Sequence, residues 1–179
     1  MKNTEELRHL LNGVNPEDHV DGAGIVLFEA KCNNDADQVL RKIKEVFQTI
    51  LSYDQRSWPS DDKWYELLPS WFVNVCASEK TSEEEEEYLA KWRTLSREDQ
   101  ILEEEMSWSV IEWVSWFEPT DNSYEQRDWF WWDAFVKSPN SLLVAVEVID
   151  IPFPSGSLFW LLKASGAIDI TEANDSQNQ

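Results

Sequence analysis

Eleven tryptophans, Trp58, Trp64, Trp71, Trp92, Trp108, Trp113, Trp116, Trp129, Trp131, Trp132 and Trp160, are spread through a chain of 179 residues. Each indole brings a large apolar area to bury and one N–H that wants an acceptor. With 42% hydrophobic and 13% aromatic residues, the chain is too apolar for a disordered acidic tail and long enough for one domain with a proper core. A four-stranded sheet with helices on one side does not easily bury eleven indoles, so some are expected at the surface.

The charge balance sets a second limit. Asp and Glu number 35 against 15 Lys and Arg, a formal net charge of −20. Nucleic acid and anionic membranes are held mainly by Lys and Arg neutralising phosphates, so this chain is repelled by both before specific contact. The acid is unevenly placed. Residues 82–106 carry ten acidic and three basic side chains, and residues 112–137 carry six and two, whereas 34–53 balance at three and three. If the two acidic segments adjoin in space, they form a negative face able to steer a cationic partner. A solvated surface that only preserves solubility is the bland alternative.

Elements follow from periodicity and caps. Leu7, Leu10 and Leu11 line one face of a short helix inside a polar N-terminal segment, residues 1–21. Ile25 to Cys32 reads as a first strand, and Val39, Leu40, Ile43, Val46, Phe47 and Ile50 mark the clearest amphipathic helix. Residues 53–70, with Pro59 and Pro69, read as a long loop carrying Trp58, Trp64 and Tyr65. Trp71 to Ala77 is expected as a second strand, and Ser82 with Glu85 as the capped start of an acidic helix, with Tyr88, Leu89, Trp92 and Leu95 as its apolar stripe. Ser96 with Asp99 marks a continuation. Ser107 to Glu118 is read as a strand, although Val110, Trp113, Val114 and Phe117 also fit a helix. Ser123 and Gln126 suggest a capped helix from Tyr124 to Lys137, on which Trp129 to Trp132 would span about 300 degrees of the circumference. Leu142 to Ile149 has the continuous apolarity of a central strand, and Ser155 opens a last helix, Leu158 to Ser165, stopped by Gly166.

The expected fold class is therefore α+β, a single domain over 22–170 with an antiparallel sheet and helices. Without an acidic helical insertion at 82–106, the order is βαββαβ, the ferredoxin-like plan, followed by a C-terminal helix and a flexible polar tail, 171–179. No segment is long and apolar enough to span a bilayer, and the N-terminus lacks an export signal, so no membrane association and a cytoplasmic location are expected.

Motifs for chemistry are sparse. His9 and His19 both lie in the polar N-terminal segment and are expected to be solvated. Cys32 and Cys76 have no paired spacing and read as reduced thiols. No phosphate-cradling glycine loop or calcium-loop pattern is present, so neither cofactor nor metal is expected. The leading expectation is a non-enzymatic domain that binds a basic protein, in the manner of an immunity or antitoxin-like inhibitor or of a nucleic-acid mimic. Its expected surface comprises Glu83, Glu84, Glu85, Glu86, Glu87, Glu103, Glu104, Glu105, Asp121, Glu125 and Asp128, with Trp92, Trp129 and Trp132 as anchors. The alternatives are a small α+β enzyme or ligand-binding domain with a Trp-lined pocket under residues 53–69, and a subunit that buries aromatic surface against itself.

Overall fold

The computed structural model describes residues 2–97, 99–100, 108–120 and 127–173. Among these are seven helices: α1 (Lys2–Asn12), α2 (Ala36–Leu51), α3 (Asp61–Leu67), α4 (Ser70–Val75), α5 (Ser82–Trp92), α6 (Val110–Ser115) and α7 (Gly156–Ser165). Four strands, β1 (Gly24–Lys31), β2 (Trp129–Ser138), β3 (Ser141–Val148) and β4 (Asp169–Glu172), form one antiparallel sheet in the order β2-β3-β1-β4. The fold is a single-domain α+β arrangement.

Alternation along the strands sorts the sheet into two faces. Val26, Phe28 and Ala30 pair with Val146, Val144 and Leu142 and share a face with Trp129 and Trp131. Helix α2 packs on this side, presenting Val39, Ile43, Val46, Phe47 and Ile50, all buried. Helix α7 packs beside it and buries Leu158, Trp160, Leu161 and Leu162. The apolar period read from the sequence thus places α2 correctly, and Gly166, at φ 123, ends α7 where expected.

The β2–β3 hairpin closes through Pro139 and Asn140, and the tip is tied down. The Cys32 amide donates to the Asn140 carbonyl at 2.7 Å, and the Ala36 amide donates to that of Pro139 at 3.1 Å. Register shifts in β2 fall between Trp131 and Asp133 and between Val136 and Ser138, so Trp132 and Lys137 are bulge residues.

The segment 53–70, expected as a long loop, carries helix α3 and the first residue of α4, and three expected elements change type. The stretch 71–77 is not a strand: Ser70–Val75 is helix α4, which begins after Pro69, where a fixed φ and a missing N–H suit a helix start. In the expected strand 107–118, the described residues 108–118 do not form a strand either. Helix α6 begins at a capping box in which the Glu112 amide donates to Ser109 Oγ and the Ser109 amide donates to the Glu112 carboxylate. Conversely, Trp129–Ser138 is strand rather than helix, because aromatic side chains pack well on a pleated sheet paired with β3. The βαββαβ reading built on segments 71–77 and 107–118 as strands is therefore not confirmed. Helix α5 starts one residue early, on a capping box of Thr81 and Glu84. The Asp99 amide donates to Ser96 Oγ, as expected of a cap. Strand β4, which pairs Ile170 with Ala30, was not anticipated, and it includes Thr171 and Glu172 of the expected tail.

Helices α3 to α6 all lie between α2 and β2, and they resolve the tryptophan problem. Trp64 and Trp113 are fully buried within them, and Trp58, Trp71, Trp108 and Trp116 pack against the same core. Five indoles are buried and the other six half-buried, so none stands fully exposed.

Gly22 carries a tight constraint. Its φ is +68, and a Cβ there would lie 2.5 Å from the Val148 carbonyl oxygen, while Ala23 N donates to that same oxygen at 2.9 Å. Gly22→Ala is expected to cost about 2 kcal/mol or more, from left-handed strain plus backbone overlap. Urea denaturation reads this directly, and a wild-type midpoint would contradict it.

Candidate partner-binding surface

Helix α5 gathers the five consecutive glutamates. Glu83, Glu84, Glu85, Glu86 and Glu87 are all exposed, and no residue of the helix is buried. It is held by end chemistry rather than by burial. Thr81 and Glu84 cap each other's backbone, the acidic first turn complements the helix dipole, and Lys91 stands in the last turn. Lys80 bridges to the body: its Nζ lies 4.8 Å from the centre of the Tyr88 ring and 2.9 Å from Glu112 Oε1. Among the described residues, Glu83, Glu85, Glu86 and Glu87 have no ion-pair partner.

The remaining expected residues separate. Trp92 ends α5, half-buried, and its carbonyl accepts a bond from Gln100 Nε2 at 3.1 Å. Trp132, also half-buried, meets the His9 ring edge-on at 4.6 Å between centres. Asp128 stands at the entrance of β2, where its carbonyl accepts from the Ile149 amide at 2.9 Å. Trp129 has no surface to offer a partner: it is fully buried, stacks on Phe47 at 5.7 Å and donates its indole N–H to Ser157 Oγ at 3.1 Å. Its strand conformation turns it into the core, which corrects its assignment as an anchor. Glu103, Glu104, Glu105, Asp121 and Glu125 lie outside the described residues. In the 53–69 segment, Trp64 is fully buried and packs with Tyr53 and Trp58 at ring-centre distances of 5.4 and 4.8 Å.

A second polar centre went unnoticed in the sequence. Glu6 on α1 is buried, and its carboxylate accepts from the Arg127 guanidinium and, at 2.7 Å, from the Trp131 amide. The guanidinium also lies over Phe117, Trp129 and Phe130, at 5.0, 6.0 and 4.7 Å from the ring centres. One carboxylate thus occupies a free N–H of edge strand β2 and pins α1 to the sheet. The signal was present: Glu6 falls one helical turn before the buried Leu10, on the inner face of α1.

Beside it, Arg8 Nη2 lies 2.6 Å from Asp18 Oδ1, 2.8 Å from His9 Nε2 and 3.9 Å from Glu5 Oε1. The ligand atoms of Glu5, His9 and Asp18 lie within 4.8 Å of one another, as a metal site requires, but the Arg8 guanidinium already supplies the cation there. His9 is 2% exposed and so corrects the expectation of a solvated histidine; it is buried between Trp132 and Asp18. Arg8, together with the Asn15 backbone N–H, holds the Asp18 carboxyl down at about 2. The adjoining cleft, lined by residues that include Glu5, His19, Asp21 and Glu147, has a volume of about 20 Å³, room for about one water molecule.

Both cysteines are free. Burial pushes the Cys76 thiol up to about 11 and raises that of Cys32, so neither is poised as a nucleophile at neutral pH. No helix among the described residues is long and apolar enough to cross a membrane. Comparison with protein-family models, with curated proteins and with solved structures finds no match.

Glu6→Ala strands a buried guanidinium and a strand amide, and is expected to cost about 3–5 kcal/mol in urea denaturation; the paired change Glu6→Leu with Arg127→Met should recover at least half of this. Equal losses in both variants would contradict the account. Asp18 has a folded pKa below its ordinary 3.8, so its contribution to stability is present above that pH and is lost as pH falls toward 2. Asp18→Asn should be less stable than wild type at neutral pH, and the gap should close between about pH 4 and pH 2. A gap independent of pH over that range would refute the assignment.

Proposed function

We propose that this chain is a non-enzymatic protein-binding domain that engages a basic protein through the glutamates of α5. The observation that carries the reading is a helix whose composition the core does not dictate. No α5 residue is buried, and five adjacent carboxylates occupy its first two turns. Glu83 and Glu87 are four apart, and Glu83 with Glu86 and Glu84 with Glu87 three apart, spacings at which like charges oppose the helix by about 0.2–0.5 kcal/mol per pair. A cationic surface laid along α5 removes that repulsion and is drawn in over a Debye length by the net charge. Trp92 at the end of the same helix supplies an aromatic contact at the margin of the acid. A toxin inhibitor of the immunity or antitoxin kind, and a mimic whose carboxylates stand in for phosphates, are the two forms of this function that the chemistry suits.

The test reverses Glu83, Glu85, Glu86 and Glu87 to Lys and spares Glu84, which belongs to the capping box. Basic proteins captured from the native host's extract at low salt are eluted by raising salt, and association kinetics follow with the purified partner. The reversed chain, with an unchanged circular dichroism spectrum, should associate at least about tenfold more slowly at low salt and show a flatter salt dependence. An unaltered on-rate removes α5 from the interface.

A further inference from the structure

Glu5 and His9 stand four residues apart on α1, a spacing that sets two side chains one above the other on the same face of a helix. Asp18, from the segment between α1 and β1, meets them, so that one donor atom from each of the three lies within 4.8 Å of the others. Arg8 Nη2 is inside this group, 2.6 Å from Asp18 Oδ1, 2.8 Å from His9 Nε2 and 3.9 Å from Glu5 Oε1. A guanidinium only donates, so His9 Nε2 accepts from it and presents a lone pair. Asp18 Oδ2 lies 3.0 Å from that same nitrogen. Two acceptors side by side, both turned to one cation, are arranged as the donors of a metal ion are. Arg8 fills the place incompletely. Its Nη1 is buried with no partner among the described residues, and its single positive charge faces the carboxylates of Glu5 and Asp18, with Asp21 and Glu147 lining the cleft alongside.

We infer that Glu5, His9 and Asp18 bind a zinc ion, and that Arg8 keeps the site closed until the ion displaces it. The donor set selects the metal. An imidazole nitrogen with two carboxylates suits zinc, whereas magnesium and calcium take oxygen ligands. Three protein ligands leave one position of a tetrahedral zinc, and the cleft beside Glu5 and His9, about 20 Å³, has room for the water that completes it. Geometry requires little movement. Zinc bonds of about 2.0–2.2 Å ask Asp18 and His9 to close by less than about 1 Å on the point that Nη2 holds, and Glu5, which is exposed, to swing in by about 2 Å. His9 is already fixed, 2% exposed with its ring against Trp132. The Arg8 side chain is 32% exposed and has a path out to solvent. Charge favours the exchange, because a dication balances two carboxylates that one guanidinium balances only by half. The bound ion then ties α1 to the segment that leads into β1, a contact independent of α5.

Calorimetric titration of the full chain with zinc chloride, with 15N NMR of the histidine rings, tests this without any partner. The expected result is one equivalent of zinc bound in about hundredfold excess magnesium, with a shift of the His9 ring nitrogens. Arg8→Met should bind zinc at least about tenfold more tightly, because the competing cation is gone. His9→Gln should abolish binding. Glu5→Gln, at an exposed position where the circular dichroism spectrum should not change, should weaken it about tenfold or more. The Lys reversal of Glu83, Glu85, Glu86 and Glu87 should keep zinc affinity to within about threefold while slowing a basic partner, so the two sites can fail separately. Zinc bound by neither wild type nor Arg8→Met, or binding that persists in both His9→Gln and Glu5→Gln, would overturn the proposal. So would a signal lost to magnesium or with the α5 reversal, which marks ions condensed on exposed carboxylates.

Discussion

Phe47 of α2 lies among four rings, Trp113, Phe117, Trp129 and Trp131, with centres 5.3 to 6.4 Å away. These rings come from α6, the residues after it, and β2, so a single side chain of the best-formed helix is the point at which the insertion and the edge of the sheet meet. Phe72 of α4 extends the cluster to Trp113 at 4.8 Å, and Ser157 of α7 receives two of its indole N–H groups: Trp113 donates to its carbonyl and Trp129 to its hydroxyl, while the buried Trp131 indole N–H has no partner among the described residues. Edge-to-face and stacked rings at these distances add to the area they bury. The cluster places three of the eleven tryptophans in the core where α2, α6 and β2 meet.

The aromatic residues are thereby drawn inward, and the excess acid is left at the surface. Acid drawn inward is held by a cation or, for Glu147, by the Asp21 amide. Glu6 meets Arg127, which links α1 to the start of β2, and Asp18 meets Arg8 within the N-terminal segment. Glu29 collects Lys31, Lys137 and Ser141, which hold its carboxyl at about 2. The glutamates of α5 stand apart from this pattern, in a helix that lacks any buried residue. A buried charge pair adds little net stability over an apolar one but is costly to break, so the Glu6–Arg127 contact serves mainly to specify where α1 docks.

The long periodic elements were legible in the sequence, and the short ones were not. Helix α2 declares itself through six apolar positions on one face, and β3 through continuous apolarity. Helices α4 and α6 have only six residues each, too few for a period, and their Val, Trp and Phe content imitates a strand. The Ser109–Glu112 box was nevertheless readable as a helix start. In β2, four adjacent aromatics hide the alternation, and the bulge at Trp132 breaks it again, so a cap-like Ser and Gln upstream outweighed β propensity. The acidic helix was visible as a run of glutamates, but its lack of burial was not. The Glu6–Arg127 pair joins residues 121 positions apart, beyond the reach of any local pattern.

One surface stands out from this division, the strongly acidic face of α5, on which the proposed function rests. Hydrogen–deuterium exchange of the chain, free and saturated with a captured basic partner, tests the proposed role of α5 most directly, because no residue of that helix is fully buried and packing protects its amides little. The account predicts that binding slows exchange across Ser82–Trp92 while the amides of β2 and β3 keep their free-state rates. Protection confined to β2 and β3, with α5 unchanged, would contradict it.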